Sequence, residues 1–163
     1  KTAYEIYQCD WSSDVCSSDL SKGYKVLEIS KEDEIRGIDK RDIVGLTPFT
    51  DTSLENTMNT IHHAEFFVGL SSGLSWLSWA LRKQVFMIAN FTNKEHEFNH
   101  NTVRIINEEV CNSCWNNPLF RFNKGDWNWC PEHEDTPRHF ECHKSITLDM
   151  VVKAIEENYD FNK

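Results

Sequence analysis

The sequence predicts an α/β fold in which helices cover a parallel β-sheet. Between residues 23 and 106, short apolar runs that end at glycine or at polar residues alternate with helix-like segments. This alternation is typical of strand–helix–strand units, whose strands run parallel. The chain has 163 residues, of which 39% are hydrophobic and 26% charged, and this composition suits one soluble domain.

The first elements of this unit are two strands and a capped helix. Residues 24–29 (YKVLEI) form a run of strand length, and residues 43–44 are expected in a second short strand. Residues 51–53 (DTS) offer a helix cap, and Glu55 suits the first turn of a helix that continues to about residue 63. Three apolar residues at spacings of four and three are expected on its buried face: Leu54, Met58 and Ile61.

A second helix and three more strands follow. Residues 66–69 (FFVG) form an apolar strand, and the turn at residues 71–73 (SSG) leads into a helix over residues 73–81. That helix is apolar on nearly all sides, so we expect it to be buried. Residues 85–89 and 103–106 are the remaining strands.

The C-terminal third has a different character. Residues 107–145 show almost no periodicity and are rich in Cys, Trp, Asn, Pro and His. A loop of this length needs another source of order, which its cysteines can supply. Residues 146–163 follow as a C-terminal segment, in which Thr147 to Tyr159 are expected to form a closing helix with one apolar face.

The first 22 residues are set apart as an unreliable or artefactual segment. Residues 1–8 can begin a helix, but residues 9–20 repeat Ser-Ser-Asp and have neither helical nor strand periodicity. The string SSDVCSSDL resembles translated sequencing-adapter sequence, and a flexible serine-rich loop is the alternative. Cys9 and Cys16 are therefore given no functional weight.

Charge and targeting signals narrow the function classes. The formal net charge of −9 argues against non-specific nucleic-acid binding, because an acidic surface repels a phosphate backbone. The chain has no run of 18 apolar residues, so no membrane span is expected. No basic patch followed by an apolar stretch opens the chain, so no signal peptide is readable and a cytoplasmic location is expected.

Four cysteines in the aperiodic segment have the spacing of a metal site. A C-x2-C pair is followed after fifteen residues by a third cysteine and after eleven more by a fourth. Four thiolates form a tetrahedral shell that suits zinc or a single iron, and a closed shell indicates a structural role. Two disulfides, or four unconnected buried thiols, are the alternatives. The predicted metal ligands are Cys111, Cys114, Cys130 and Cys142.

Histidines in the same segment could replace a cysteine in the metal shell. Because four thiolates already close that shell, we expect the histidines to be bystanders. They are His133, His139 and His143.

A serine- and glycine-rich turn is the second candidate site. Residues 69–75 (GLSSGLS) lie between a predicted strand and a predicted helix, where free amides and the helix dipole attract phosphate. The same residues are equally typical of an ordinary helix N-cap that binds no phosphate. Residues 47–52 and 89–92 also follow predicted strands, so the three loops are expected to converge on one crevice.

Together these segments resemble a known family. Residues 46–93 (LTPFTDTSLENTMNTIHHAEFFVGLSSGLSWLSWALRKQVFMIANFTN) are similar to the C-terminal domain of heptosyltransferases. The letters SSGLSWL, followed by CNSCW and GDWNWCP, are similar to the autotransporter heptosyltransferases in particular. The resemblance extends over residues 23–155.

The resemblance implies a fold and a function. It implies the Rossmann-like C-terminal half of a GT-B glycosyltransferase, which moves heptose from ADP-heptose to serine hydroxyls of an autotransporter adhesin. It also implies one iron per chain, with zinc as the alternative, held by the four cysteines, and a large homo-oligomeric ring. By position, Ser72, Gly73 and Leu74 would contact the diphosphate. Thr47, Asn90 and Thr92 would lie near the nucleotide or the sugar.

The sequence departs from the wider heptosyltransferases at two positions and in length. Ser71, counted with the donor-binding residues, stands where they carry Asp, and Trp76 stands where they carry His; both agree with the autotransporter branch. The chain has no room for the N-terminal domain that brings the acceptor and the catalytic base. We therefore expect these residues to bind ADP-heptose weakly at most and not to turn it over.

Three carboxylates are candidates for the catalytic base. They are Glu65, Glu95 and Glu97, and they are interpreted as solvated or capping residues rather than as the base.

Two rival functions are alternatives to the glycosyltransferase. One rival function is a metal-stapled assembly module without catalysis. The other is a zinc-ribbon nucleic-acid binder, against which the scarcity of basic residues in the cysteine segment argues. These basic residues are Arg121, Lys124, Arg138 and Lys144.

Overall fold

The structure is a computed structural model that describes most of the chain from residue 46 onwards and parts of the chain before it. The described residues are 2–5, 25–29, 34–35, 38–39, 46–49, 52–115, 117–121 and 129–161. Residues 9–20, the strand expected at 43–44, the cap residue Asp51 and Lys124 lie outside them.

Six parallel strands form one sheet. They are β1 (Thr2–Glu5), β2 (Lys25–Glu28), β5 (Leu46–Pro48), β6 (Phe66–Leu70), β7 (Gln84–Ile88) and β8 (Thr102–Ile105). Their order across the sheet is β5-β2-β1-β6-β7-β8, and every neighbouring pair is parallel. The strands β3 (Glu34–Ile35) and β4 (Ile38–Asp39) form a separate antiparallel pair. The predicted α/β fold with a parallel sheet is confirmed.

The strand order places a topological switch point in the middle of the sheet. From β1 the chain adds β2 and β5 on one side, then returns to the other side of β1 and adds β6, β7 and β8. This is the Rossmann order, in which the direction of winding reverses between the two central strands. A crevice opens where the loops after those strands, here β1 and β6, lead to opposite faces.

The strand β1 corrects the expectation of a helix over residues 1–8. Thr2–Glu5 pair with β2 on one side and with β6 on the other. Thr and Tyr favour extended backbone, and a central strand gains hydrogen bonds from two neighbours that a short isolated helix would not have. The sheet therefore includes four residues of the segment that the sequence analysis set apart.

Both faces of the sheet are covered, and this explains the uninterrupted apolar runs of its strands. Adjacent residues of β6 and β7 point to opposite faces, so each strand contributes to two cores. One core contains Phe66, Val68, Phe86, Ile88, Ile105, Ile146, Val151 and Ile155. The other contains Leu27, Ile29, Ile61, Ala64, Phe67, Val85, Met87 and Phe98.

The helix α1 (Leu54–His62) begins where the sequence predicts but buries a different face. Ser53 caps it, because its hydroxyl accepts a hydrogen bond from the Asn56 amide at 3.2 Å. The buried residues are Thr57 and Ile61, whereas Leu54 is 66% and Met58 is 37% exposed. Ile61 of the predicted apolar row is therefore buried, whereas Leu54 and Met58 of that row are exposed, because the buried side of α1 runs through Thr57 and Ile61.

The sequence predicts that the helix α2 (Gly73–Ala80) is buried on nearly all sides. In the structure it is only partly buried. Its fully buried residues are Ser75 and Ser78, whereas Trp76 is 42% exposed. Both serine hydroxyls donate to backbone carbonyls, Ser75 to Ser72 at 2.7 Å and Ser78 to Leu74 at 2.8 Å. Small side chains with satisfied hydroxyls can face the sheet and leave the bulky indole outside.

The C-terminal part contains two described helices, α3 (Glu141–Lys144) and α4 (Leu148–Asn158). The closing helix is confirmed, with Thr147 as its cap and Val151 and Ile155 buried. Turns occupy most of the described residues between β8 and α3. None of the described helices combines the length and the apolar character that crossing a bilayer requires.

Candidate functional site

The carboxyl ends of the parallel strands bring two of the three predicted loops side by side. The turn after β6 (residues 71–73) and the loop after β7 (residues 89–92) follow neighbouring strands. Thr47 lies in β5, which β2 and β1 separate from β6. Three strand spacings of about 4.8 Å set Thr47 roughly 14 Å from the turn. Thr47 therefore shares the edge of the sheet but not the immediate surroundings of the other residues.

The turn after β6 leaves the amino end of α2 open. The Ser75 hydroxyl accepts a hydrogen bond from the Ser72 amide at 2.9 Å, which fixes the first turn. The buried Ser72 hydroxyl has no hydrogen-bond partner among the described residues. A Cβ atom added to Gly73 would meet nothing within 4 Å, so open space lies beside this exposed glycine. Ser72 and Ser75 form a capping box at this turn, and the first amides of the helix lie beside that space.

The loop after β7 is held by its own side chains. Asn90 and Thr92 are both buried, at 7% and 8% exposure. The side-chain oxygen Oδ1 of Asn90 accepts a hydrogen bond from the Phe91 amide at 2.6 Å. The Thr92 hydroxyl donates to the Glu97 carboxylate. Both predicted ligand-binding side chains are therefore engaged with the protein, and they fix the backbone of the loop.

An ion pair between Arg104 and Glu97 holds this loop in position. The guanidinium of Arg104 donates to the Glu97 carboxylate at 2.5 Å and to the Thr92 carbonyl at 3.0 Å. The Glu97 side chain is only 1% exposed, so its interpretation as a solvated or capping residue is wrong. The sequence does contain a signal for this ion pair, which is the arginine within the apolar strand β8. A charge in such a strand requires a partner.

The other two candidate acids have different surroundings. Glu65 accepts a hydrogen bond from the hydroxyl of Tyr159 at 2.7 Å, and this bond ties the C-terminal helix to the start of β6. Glu95 is exposed and lies in a short 3-10 helix, where its amide is capped by Asn93.

The four predicted cysteine ligands are free thiols, and all but Cys111 are buried. Burial, followed by the proximity of the other three thiols, raises the pKa of Cys142 to about 12. Burial also raises the pKa of Cys114 to about 11, with smaller contributions from Glu132 and from neighbouring thiols. The pKa of Cys111 is raised for the same first reason. The other thiols thus raise the pKa of Cys142, but among the described residues no three of the four sulfurs lie within 4.8 Å of one another.

The tightest group of metal-ligating side chains is a mixed one. Among the described residues, the ligand atoms of Cys111, His133 and Glu141 all lie within 4.8 Å of one another. The buried Nε2 of His133 forms no hydrogen bond with any described residue and lies 4.0 Å from the Glu141 carboxylate. Arg138 donates a hydrogen bond to Glu141 and holds the pKa of that carboxyl below its usual value.

The cysteine segment is joined directly to the loop after β7. The amide of Ser113 donates to the Asn90 carbonyl at 3.2 Å, and the amide of Trp115 donates to the Phe91 carbonyl at 2.7 Å. The side-chain amide of Asn90 lies 2.5 Å from Nδ1 of His143. Asn90 is therefore contacted both from the C-x2-C turn and by the residue after the last cysteine.

The three histidines differ in their surroundings. His133 lies beside Cys111 in the mixed group, whereas His143 contacts Asn90 and is not part of that group. Burial lowers the pKa of His143, which favours a neutral imidazole. His139 packs its ring against Phe140, with ring centroids 4.5 Å apart. The contacts of His133 and His143 join residues far apart in the chain, so spacing alone could not reveal them.

Comparison with known proteins identifies the relatives of the chain. No protein-family model matches it. It is 40% identical over 120 residues to the autotransporter heptosyltransferase Aah of Escherichia coli, covering 74% of this chain and 29% of Aah. It is 35% identical over 105 residues to the inactive autotransporter heptosyltransferase BimC of Burkholderia thailandensis, covering 64% of this chain and 25% of BimC.

The chain is homologous to autotransporter heptosyltransferases. This relationship extends to the fold: TibC, a dodecameric iron-containing heptosyltransferase solved in complex with ADP-D-β-D-heptose, matches with a TM-score of 0.81 at 33% identity. The match covers 96% of this chain and 44% of TibC. The chain thus spans less than half the length of the autotransporter heptosyltransferases that it matches.

A more distant structure agrees on the fold alone. The Escherichia coli ADP-heptose lipopolysaccharide heptosyltransferase II matches with a TM-score of 0.63 at 10% identity, over 96% of this chain and 45% of that protein. The neighbours are GT-B heptosyltransferases, which agrees with the Rossmann order of the sheet. The resemblance stated from the sequence is confirmed at the level of family and fold.

Proposed function

We propose that the chain is the donor-binding part of a protein O-heptosyltransferase. In this proposal it holds ADP-heptose while heptose moves to a serine hydroxyl of an autotransporter adhesin. The observation that carries it is the open amino end of α2, which follows β6 at the switch point of a Rossmann-ordered sheet. The homology to TibC, which was solved with ADP-D-β-D-heptose, supplies the ligand class.

The diphosphate is assigned to the turn after β6. The free amides at the start of α2 and its dipole favour negative charge, and the Ser72 hydroxyl is available to donate. Gly73 leaves room for a phosphate to approach the backbone. Ser71 and Leu74 flank this position. Asn90, Thr92 and Thr47 are assigned to the nucleotide or sugar, the first two through the backbone that they fix and Thr47 at a greater distance.

The chemistry assigned to this turn is stabilisation of the leaving group. When a serine Oγ bonds to the anomeric carbon of heptose, the bond from that carbon to the diphosphate oxygen breaks and ADP leaves with the electron pair. The serine proton passes to a base that we do not assign. Negative charge grows on the diphosphate during this step, so amides aimed at it lower the barrier.

We propose that the four cysteines hold one iron per chain, with zinc as the alternative. Three buried free thiols and a half-buried fourth are chemically suited to a soft or borderline cation. The bound cation would neutralise the thiolates and fix the turns of residues 107–145. His133 lies beside Cys111 and is suited to support this shell from outside.

The assembly and location follow the same relatives. TibC is dodecameric, and we propose a large homo-oligomer for the protein to which these residues belong. A cytoplasmic location, where ADP-heptose donors and an unsecreted adhesin can meet, is part of the same proposal. Neither nucleic acid nor a membrane belongs to it.

Replacing Gly73 tests the donor site. Gly73→Val should weaken ADP binding about tenfold or more, because the side chain fills the space assigned to phosphate without meeting protein atoms. Titration calorimetry with ADP measures the loss, and amide chemical shifts of Ser72 and Gly73 in the original chain should move on titration. Ala80→Val, at the exposed far end of the same helix, is the matched control. Unchanged affinity in Gly73→Val would refute the site.

A second candidate function is a metal-stapled assembly module without catalysis. The observation in its favour is the homology to BimC, an inactive autotransporter heptosyltransferase. The two functions differ in the same titration, since an assembly module should show no saturable ADP binding and no shift at Ser72 or Gly73.

A further inference from the structure

The cysteine segment holds the loop after β7 at two consecutive residues. Two backbone hydrogen bonds reach this loop from the C-x2-C turn, Ser113 to Asn90 at 3.2 Å and Trp115 to Phe91 at 2.7 Å. The rings of Phe91 and Trp115 also pack edge to face, with centroids 5.5 Å apart. Any movement of the C-x2-C turn must therefore move the loop.

A side-chain contact reaches the same loop from the other end of the cysteine segment. The amide nitrogen Nδ2 of Asn90 lies 2.5 Å from Nδ1 of His143, which directly follows Cys142. The Asn90 oxygen is occupied by the Phe91 amide, so the orientation of the side-chain amide is fixed. Nδ2 must then donate, and Nδ1 of His143 must accept.

The Asn90 side of this contact is buried, so the contact matters for the position of the loop. Asn90 is 7% exposed, and losing the acceptor would leave a buried amide proton unsatisfied. Asn90 would have to turn to find another partner, which would release its bond to the Phe91 amide as well. The position of the loop backbone thus depends on His143.

We infer that His143 is a positioning residue that couples the metal held by the cysteines to the binding of the nucleotide-sugar donor. The inference rests on the proposed function. The metal fixes Cys142, Cys142 carries His143 with it, and His143 holds Asn90 in the loop at the donor edge of the sheet. Coupling between two sites is reciprocal, so ADP must strengthen metal retention by the factor by which the metal strengthens ADP binding.

The test compares variants of the full chain loaded with zinc, which accepts a four-thiolate shell and has no redox chemistry. His143→Phe should keep its zinc and its circular dichroism spectrum but bind ADP about 5- to 10-fold more weakly, the low end of typical coupling. His143→Asn, whose side-chain oxygen can replace Nδ1 as acceptor, should recover most of the affinity. His139→Phe is the matched control in the same segment, and it should bind ADP as the original chain does.

The reciprocal measurement separates coupling from a merely structural role. ADP should lower the fraction of zinc lost to a chelator in the original chain and in His139→Phe by the same factor, and should have no effect in His143→Phe. Equal ADP affinity in His143→Phe and the original chain, or equal protection of zinc in both, would overturn the coupling alone. Absence of ADP binding by the zinc-loaded original chain would overturn the donor site and the coupling together.

Discussion

At the scale of single residues, polar side chains hold the loop after β7 in position. Glu97 receives hydrogen bonds from Thr92, in that loop, and from Arg104. Its side chain is 1% exposed, whereas that of Arg104 is 22% exposed. A carboxylate so deeply buried must keep its partners, because an unpaired buried charge is costly.

Glu97→Gln is expected to lower the free energy of unfolding by about 3 kcal/mol, the low end for breaking a buried pair, because Arg104 keeps some contact with water. Chemical denaturation of both proteins measures the difference. The control is Glu157→Gln, which removes the same charge from the exposed pair of Lys153 and Glu157 at 3.8 Å and should cost less than about 0.5 kcal/mol. Equal losses in the two variants would contradict the buried-pair argument.

At the scale of elements, the cysteine segment shows how irregular backbone can be ordered. The described residues between 107 and 145 have little regular structure, yet Cys114, Cys130 and Cys142 are buried and the C-x2-C turn is bonded to the loop after β7. In a segment with few apolar contacts of its own, a cation shared by four thiolates would supply the missing stability.

Cys114→Ser tests this role of the metal. Elemental analysis should show about one metal ion per original chain and a large loss in the variant, because a serine hydroxyl is a poor ligand for soft cations. The variant should also unfold at a lower temperature, by several degrees or more, since each lost kcal/mol shifts the midpoint by about 2–8 °C. Cys9→Ser, outside the predicted shell, is the control. Full metal content in Cys114→Ser would contradict the four-cysteine site.

Sequence patterns predicted elements well where burial alone decides them. The strands β6 and β7 are buried on both faces, so they appear as continuous apolar runs. Ser53 and Thr147 cap helices by local hydrogen bonds that can be read directly from the sequence.

Patterns failed where the outcome depends on which neighbour an element meets. The apolar rows of α1 and α2 did not reveal their buried faces, because Ser75 and Ser78 face the sheet for their small size and not for their hydrophobicity. The central position of β1 depends on its pairing with β2 and β6, which four residues cannot signal alone. The contact between Asn90 and His143 joins residues 53 positions apart, so no local spacing encodes it.

At the scale of the whole molecule, the proposed donor site lies at an edge of the sheet where we assign no base for the acceptor. Glycosyl transfer needs a group that takes the proton of the attacking hydroxyl within hydrogen-bond reach. Of the three acids considered, Glu65 is bonded to Tyr159, Glu97 is paired with Arg104, and Glu95 is exposed on a short 3-10 helix. A further carboxylate, Glu28 at the carboxyl end of β2, is fully buried.

We therefore expect these 163 residues to bind ADP-heptose without transferring heptose. Mass spectrometry of an adhesin passenger fragment, incubated with metal-loaded chain and ADP-heptose, should show no added heptose, while calorimetry on the same sample shows donor binding. A full-length relative such as Aah is the positive control for substrate quality. Because we assign a phosphate site but no catalytic base to the described residues, we expect donor binding and heptose transfer to separate in this chain. Heptosylated passenger in the sample would show that a residue of this chain acts as the base.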